Sequence, residues 1–133
     1  MKLIIGGYAQ GKLRYAMEKY GLDESRIWDG EVPQTGGKEK AAEDLNGPMA
    51  INHFHSWVKS SLIKGGCPEE EIRIFLEKYP DCVIISDEIG NGIVPVEAFE
   101  REYRERTGRI LTELAGRADE VVRVICGIGR KIK

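Results

Sequence analysis

The sequence predicts an α/β fold of three layers, in which a mainly parallel sheet carries helices on both faces. Short apolar segments alternate with longer segments whose apolar residues recur at helical spacing, and this alternation is typical of a parallel sheet. One of the short segments, Cys82–Ser86, is apolar throughout, as expected of a strand covered on both faces. A glycine-rich turn follows the first apolar segment and leads into a helical stretch. The 133 residues are predicted to form a single domain, residues 1–133.

Composition narrows the class of protein. Hydrophobic residues make up 41% and charged residues 32% of the chain, which is typical of a folded protein outside the membrane. A net charge of −2 argues against a general nucleic-acid binder, and no apolar stretch approaches the roughly 20 residues that span a bilayer. The widely spaced Cys67, Cys82 and Cys126 predict neither a disulfide framework nor a zinc site, and the latter two are expected to be buried. The expectation is a soluble cytoplasmic protein without nucleic-acid or membrane partners.

The glycine-rich turn has the pattern of a phosphate-binding loop. Gly6 to Lys12 fits G-x-x-x-x-G-K, in which backbone N–H groups and the start of a helix surround an anion and the lysine adds a positive charge. The next position normally carries a hydroxyl that holds Mg²⁺, and here it is Leu13. The pattern predicts a P-loop NTPase-like fold that binds ATP or GTP, with Mg²⁺ in doubt. The predicted nucleotide-binding residues are Gly6, Gly7, Tyr8, Ala9, Gln10, Gly11, Lys12, Leu13 and Arg14.

The first half of the chain predicts the following elements. The first strand is Leu3–Ile5, and a helix from Lys12 to Tyr20 ends at Gly21, which suits a helix C-terminus. A brief strand is predicted at Ser25–Trp28. Residues 30–40 are rich in turn formers and charge, which indicates an exposed loop and leaves open a lid over the phosphate site. A short helix is predicted at Lys38–Leu45.

A second strand and two helices are predicted next. Met49–Phe54 has the character of a buried strand, and Ser56 is a candidate cap for a helix that Gly65 and Gly66 terminate. Pro68 and three glutamates start another helix, because proline suits the first turn and acidic side chains suit the positive end of a helix. Pro80 is predicted to stop it.

The last third of the chain predicts a long helix between two core strands. The strand at Cys82–Ser86 leads into Asp87 and Glu88. The helix is predicted to begin at Val96, with an interruption at Gly108 that marks a close contact or a bend. Val121–Cys126 is the final core strand, and residues 127–133 form a tail or a small hairpin.

Ligands bind beyond the carboxyl ends of the strands in such sheets, so the residues that follow the strands are expected to converge. The glycine loop, Asn52 with His53, and Asp87 with Glu88 all occupy such positions. Asp87 and Glu88 are candidate catalytic residues, beside Lys12, and candidate Mg²⁺ ligands; the alternative is that they cap the following turn. His53 and His55 are expected to share a strand face, which permits a metal pair or a phosphate contact, although structural or solvent-facing roles are favoured.

Several motifs together resemble one family. Residues 5–14 are similar to its T-G-G-x-x-S-G-K-S-R loop, and Ser86–Pro95 is similar to [ST]-N-E-V-G-x-G-I-V-P. Residues 118–121 resemble A-D-E-V, and the final residues 127–133 resemble G-x-x-x-K-I-K. This family is the bifunctional adenosylcobinamide kinase / adenosylcobinamide-phosphate guanylyltransferase of cobalamin biosynthesis. The resemblance implies a P-loop fold, phosphorylation of the corrinoid adenosylcobinamide by ATP or GTP, guanylyl transfer through a histidine, and assembly into homo-oligomers.

The chain departs from the family pattern at positions that carry chemistry. Leu13 replaces a serine, and Asn52 occupies the slot of an acidic residue at the end of the middle strand. Asp87 replaces an asparagine. The segment with the nucleophilic histidine, of the form H-[RH]-x-x-R-P-x-x-W, is missing from the middle of the chain. These departures leave three interpretations. The chain is a kinase that has lost guanylyl transfer, or a catalytically inactive nucleotide-binding relative that acts as a regulator or partner subunit. The third and least favoured is a scaffold whose loop binds no nucleotide.

Overall fold

The computed structural model describes residues 1–33, 47–90 and 92–133. Within these ranges the strands are β1 (Lys2–Gly6), β2 (Ile27–Asp29), β3 (Ala50–Asn52), β4 (Val83–Asp87), β5 (Glu120–Ile125) and β6 (Ile128–Lys131). The helices there are α1 (Lys12–Tyr20), α2 (Phe54–Ile63), α3 (Pro68–Lys78) and α4 (Ala98–Arg117), with a 3₁₀ turn at Glu24–Arg26. The predicted helix at Lys38–Leu45 and most of the predicted loop at 30–40, with its role as a lid, lie outside the described residues.

The strands form one sheet in the order β2-β3-β4-β1-β5-β6. All neighbouring pairs are parallel except β5 and β6, which pair antiparallel. The predicted α/β fold with a mainly parallel sheet is therefore confirmed. The register sets Gly6 beside Asp87 on adjacent strands, so the start of the glycine loop and this carboxylate meet at one edge of the sheet.

Both faces of the sheet are covered, because successive side chains along each strand point to opposite faces. Leu3 and Ile84 belong to the core with α2, α3 and α4, which also buries Phe54 and Phe75. Ile4 belongs to the opposite core, where α1 packs against the sheet through Ala16. The predicted layers of helix, sheet and helix are thus present.

The local signals at α1 and α3 place both helices correctly. Helix α1 has the predicted bounds, and Gly21 takes the left-handed conformation that ends it. Helix α3 starts at Pro68 with three glutamates in its first turn and ends two residues before Pro80.

The C-terminal segment forms a hairpin, which is one of the two predicted alternatives. Strand β6 turns back on β5 through Cys126 and Gly127. None of the helices in the described parts of the chain is long and apolar enough to cross a membrane.

The structure corrects several sequence-based predictions about local structure. Helix α2 begins at Phe54 with His53 as its N-cap, so Ser56 lies inside the helix and the two histidines do not share a strand face. Helix α4 begins after Val96 and runs through Gly108 without interruption; nothing lies within 4 Å of where a Cβ would stand on that glycine. Cys126 is exposed because it occupies the turn of the hairpin rather than the strand.

Candidate functional site

The glycine loop is fixed at both ends by backbone contacts. Gly6 lies so close to β5 that a Cβ on it would stand 2.5 Å from the carbonyl oxygen of Val124, so no larger residue fits without a shift. The side-chain Oε1 of Gln10 accepts a hydrogen bond from the N–H of Cys126 at 2.8 Å, and its carbonyl accepts one from Gly127 at 2.8 Å. The loop is therefore held against the turn of the β5–β6 hairpin.

Lys12 is the buried cation of the loop. Its residue is 7% exposed, and its ammonium lies 2.6 Å from the carbonyl oxygen of Gly7 and 2.5 Å from Oδ1 of Asp87. The side chain of Asp87 is 14% exposed. Desolvation of a charge costs several kcal/mol in protein interiors, so this pair exists because each charge compensates the other. The structure thus brings together two of the three predicted catalytic residues.

His55 holds Asp87 from the side of helix α2. Its Nδ1 accepts a hydrogen bond from the N–H of Asp87 at 3.1 Å, so the neutral ring carries its proton on Nε2, which faces the Asp87 carboxylate at 3.5 Å. Burial lowers the pKa of His55, while the Asp87 carboxylate opposes that shift. The hydroxyl of Tyr103 donates to the carbonyl of His55 at 3.0 Å, and burial raises the pKa of Tyr103 to about 12. Both ring nitrogens of His55 therefore face Asp87.

Glu88 points away from this pair. Its carboxylate accepts hydrogen bonds from the guanidinium of Arg123 at 3.1 and 3.2 Å, and its N–H donates to the carbonyl of Gly6 at 2.9 Å. The side chain does not line the cavity that contains Asp87. Asp87 and Glu88 are adjacent in the chain, but they diverge in the structure.

Asn52 and His53 form a second cluster with Asp29 at the end of β2. The amide Nδ2 of Asn52 lies 2.9 Å from Oδ1 of Asp29, and Nδ1 of His53 lies 2.5 Å from the same oxygen. The register of β2 and β3 places Asp29 directly beside Asn52. Asn52, in the slot where the resemblance leads us to expect an acid, therefore donates to a carboxylate on the next strand.

Two cavities flank the glycine loop. One, of about 320 Å³, contains Lys12, Asp87, Asn52 and His53 together with loop residues 8–11 and the start of α1. The other, of about 430 Å³, lies between α1 and the hairpin turn and is lined by Arg14, Tyr15 and Glu18, with Cys126 and Gly127 opposite. Arg14 lies on the surface, where its side chain pairs with Glu18 at 2.9 Å. The loop is the shared wall of both cavities.

Sequence reasoning missed Asp29, Gln10 as an anchor, and Arg123. Asp29 directly follows the strand predicted at Ser25–Trp28 and precedes a glycine. Its position at the carboxyl end of that strand was the available signal, because such ends meet the ligand site. The bonds of Gln10 and Arg123 join residues more than 30 positions apart, which no local pattern reveals.

Comparison with known proteins agrees with the resemblance. The sequence model of the family described as cobinamide kinase / cobinamide phosphate guanyltransferase matches residues 36–132. The chain is 41% identical over 69 residues to the bifunctional adenosylcobalamin biosynthesis protein CobU of Salmonella typhimurium, across 49% of this chain and 38% of that protein. It is 45% identical over 51 residues to the protein of the same name from Escherichia coli, across 38% of this chain and 28% of that protein.

The chain therefore aligns with well under half the length of these curated relatives. The family match begins after the glycine loop, whose likeness to the family rests on its own motif. The matched region contains β3, β4, α4 and β5, which supply Asn52, Asp87 and the wall behind the loop. A match over most of the chain shows that this protein belongs to the cobinamide kinase / cobinamide phosphate guanyltransferase family.

Proposed function

We propose that this chain is a kinase that phosphorylates the corrinoid adenosylcobinamide with ATP or GTP in cobalamin biosynthesis. The observation that carries the proposal is the ion pair between Lys12 and Asp87, buried under the glycine loop at the edge of the sheet where ligands bind. Transfer of a phosphoryl group requires positioning and charge stabilisation more than covalent chemistry by the protein. A buried lysine beside a phosphate-binding loop and a carboxylate supplies both.

In this proposal the nucleotide and the acceptor bind in different cavities. The terminal phosphates lie over the loop, where the Lys12 ammonium exchanges the carbonyl of Gly7 for a phosphate oxygen. The nucleoside occupies the cavity beside Tyr15, whose ring offers an apolar surface, and Arg14 lies near the phosphates there. The acceptor hydroxyl enters the cavity with Asp87 and His53. This arrangement places the bond to be broken above the loop.

Magnesium fits this site through one protein oxygen. Asp87 offers a carboxylate in the same cavity as the loop, and Mg²⁺ commonly takes one or two carboxylates with the rest of its shell from phosphate and water. Within the described residues no three His, Cys, Asp or Glu side chains gather as a metal site, and Leu13 supplies no hydroxyl. Asp87 would therefore hold the ion, whose contribution is to neutralise phosphate charge; Glu88 would have to leave Arg123 to reach it.

Guanylyl transfer is excluded from the proposal. The resemblance assigns that reaction to a histidine in a segment that this sequence lacks, and the two histidines present, His53 and His55, lie elsewhere. GMP transfer would require one of them to act as the nucleophile that carries GMP. His55 does not suit this role, because its Nδ1 accepts the hydrogen bond from the N–H of Asp87.

A second candidate function is nucleotide binding without catalysis, as a regulator or partner subunit. Leu13 and Asn52 favour it, because together they remove a hydroxyl and a carboxylate from the metal site. Asn52 also donates to Asp29, so an acid at position 52 would place two carboxylates side by side. A substitution that restores a metal ligand is therefore better made at position 13, where it does not add a carboxylate beside Asp29.

The test compares the wild type with Leu13→Ser and Asp87→Asn. ATP and GTP are titrated calorimetrically with and without Mg²⁺, and adenosylcobinamide is then added and its phosphate followed by mass spectrometry. We expect binding that Mg²⁺ strengthens, formation of the phosphate by the wild type, and faster turnover by Leu13→Ser. Asp87→Asn should lower turnover and weaken the effect of Mg²⁺. GTP and the phosphate product together should give no guanylylated corrinoid.

The outcomes separate the two candidates. Nucleotide binding without phosphate formation, by the wild type and by Leu13→Ser alike, would contradict the kinase and support the inactive relative. Absence of nucleotide binding would reject both. Lys64→Ala, in the exposed turn after α2, is a matched control that should behave as the wild type.

Self-association and a cytoplasmic location belong to the same proposal. Ile93, Val94 and Val96 are 92%, 74% and 93% exposed in a segment whose backbone carbonyls accept hydrogen bonds from Arg101 and Arg104. A fixed segment that presents apolar side chains to solvent supports an interface between copies. Sedimentation of Val96→Glu against the wild type tests it, with loss of the oligomer expected.

A further inference from the structure

We infer that His53, oriented by Asp29, is the general base that accepts the proton of the acceptor hydroxyl. The inference rests on the proposed kinase function and deepens it, since it assigns a role to a residue outside the motifs of the glycine loop. His53 lies in the same cavity as Lys12 and Asp87, so its side chain faces the space assigned to the acceptor.

The contact with Asp29 indicates the tautomer of His53. An ionised carboxylate only accepts hydrogen bonds, so the short contact of 2.5 Å between Oδ1 of Asp29 and Nδ1 of His53 favours a proton on Nδ1. The amide Nδ2 of Asn52 also lies 3.2 Å from Nδ1, but it has a shorter hydrogen bond of 2.9 Å to Asp29. The neutral ring then carries its lone pair on Nε2, which has no hydrogen-bond partner within residues 1–33, 47–90 and 92–133. A carboxylate behind one nitrogen and a free lone pair on the other is the arrangement of a general base.

Asn52 keeps the carboxylate in place. Its buried amide donates to the same oxygen of Asp29 at 2.9 Å, and the N–H of Gly30 donates to the carbonyl of Asn52 at 2.8 Å. An acid at position 52 would repel Asp29 and release His53. The amide of Asn52, in the position where the family pattern has an acid, therefore allows Asp29 to stay in contact with His53.

The backbone of His53 is also shaped for this contact. His53 has φ 49° and ψ 44°, the left-handed conformation that costs an L-residue about 1–2 kcal/mol. Its side chain makes no capping bond to α2, although the residue stands at the N-cap. Strained residues of this kind cluster at functional sites because the surrounding structure holds them there.

His55 cannot take the same role. Its Nδ1 accepts the N–H of Asp87, and its Nε2 faces the carboxylate of Asp87, so both nitrogens are engaged. The two rings stand 5.8 Å apart in an edge-to-face arrangement. His55 thus positions Asp87, while His53 keeps an open nitrogen.

The step balances without a further reactant. The hydroxyl oxygen of the acceptor forms a bond to the terminal phosphorus, and its proton passes to Nε2 of His53. The bond between that phosphorus and the bridging oxygen breaks, and the nucleoside diphosphate leaves with the electron pair. The imidazolium that forms is stabilised by the negative charge of Asp29, and it loses its proton to solvent before the next cycle.

The test uses the full chain with His53→Asn, His53→Gly and Asp29→Asn. Asparagine and glycine both tolerate the left-handed conformation, and asparagine can still donate to Asp29, so folding is preserved while the base is removed. We expect His53→Asn to lower kcat for phosphate formation by about a hundredfold or more, with nucleotide affinity unchanged. Asp29→Asn should also lower kcat. Imidazole in the buffer should restore part of the turnover of His53→Gly.

The controls separate this inference from the proposed function. Ser60→Ala, exposed on the same helix, should retain wild-type kcat, and thermal melting should show that all variants are folded. A kinase whose His53→Asn form keeps wild-type turnover would overturn the inference and leave the proposed function standing. Failure of His53→Gly to respond to imidazole would also count against a base. If the phosphoryl or nucleotidyl group of a radiolabelled nucleotide became covalently attached to His53, the residue would be a nucleophile and the inference would be wrong. A wild type that binds nucleotide without turnover would contradict both this inference and the proposed kinase function.

Discussion

The two ends of the sheet differ in the geometry of their backbone. Within the described residues, the non-glycine residues with positive φ are Ala9, His53 and Cys126, which follow β1, β3 and β5 at the carboxyl ends. At the amino ends the pairing is regular, as in the bond from the N–H of Lys2 to the carbonyl of Cys82. Strain therefore lies on the side where the loop and Asp87 meet. This difference supports the proposed site at the carboxyl ends of the strands, and it does so independently of the glycine-loop motif.

The ion pair of the candidate site is more buried than an ion pair on the helix surfaces. The side chains of Lys12 and Asp87 are 8% and 14% exposed, whereas those of Arg106 and Glu69 are 27% and 35% exposed. Hydrogen bonds from Arg106 lower the pKa of Glu69 to about 2, yet solvent screening limits such a surface pair to about 1 kcal/mol. Stability should thus depend far more on the buried pair.

Disruption of the buried pair is expected to give the largest effect. Lys12→Met leaves Asp87 buried without its partner, which costs about 3–5 kcal/mol for pairs of this kind. The same change should weaken nucleotide binding by about thirtyfold or more, since truncation of one partner of a buried charge contact costs about 2–5 kcal/mol. Urea unfolding at pH 8, where His55 is neutral and cannot compensate for the lost cation, measures the first effect, and calorimetry measures the second.

The double variant Lys12→Met with Asp87→Asn distinguishes charge from packing. Removal of both charges should recover about 2 kcal/mol or more of the lost free energy of unfolding, because no uncompensated carboxylate remains. Nucleotide binding should stay weak, since the cation is still missing. If the double variant is no more stable than Lys12→Met, the loss comes from packing and the contrast with the surface pairs is wrong.

A pair of glycine substitutions tests the same contrast in the backbone. Gly6→Ala should destabilise the protein by about 2 kcal/mol or more, because the new Cβ would meet the carbonyl oxygen of Val124 at 2.5 Å. Gly108→Ala, in the middle of α4 with open space around it, should stabilise by about 1 kcal/mol through helix propensity. Thermal melting of both variants checks the opposite signs. A neutral Gly6→Ala would show that the loop can move away from β5.

Local signals in the sequence were sufficient for much of the fold. The apolar segments predicted β1, β4 and β5, and Pro68 with its glutamates predicted α3, because these elements follow from burial and helix-end chemistry. The glycine pattern predicted the loop and Lys12, and the order of elements brought Asp87 to it. These features depend on residues close in sequence or on the general rule that strand ends converge.

The remaining parts of the site depend on register and on unusual backbone conformations. Asp29 reaches Asn52 and His53 only because β2 pairs with β3 in one particular register. Histidine rarely adopts the left-handed conformation, so the sequence favoured a longer strand and a cap at Ser56. Arg123 takes Glu88 away from the cavity, and that contact joins strands β5 and β4 across β1. Such pairings are decided by the assembled sheet.

The smallest expected effect comes from the hairpin turn that anchors the loop. Cys126 and Gly127 have φ of 48° and 76°, the signature of a type I′ turn, for which Asn-Gly is the preferred pair. Cys126→Asn should therefore stabilise the protein by about 0.5–1 kcal/mol, since asparagine tolerates the left-handed conformation better than cysteine. Its backbone N–H can still donate to Gln10, so nucleotide affinity should not fall. Thermal melting beside a nucleotide titration measures both quantities, and a destabilised variant would show that the thiol itself supports the turn.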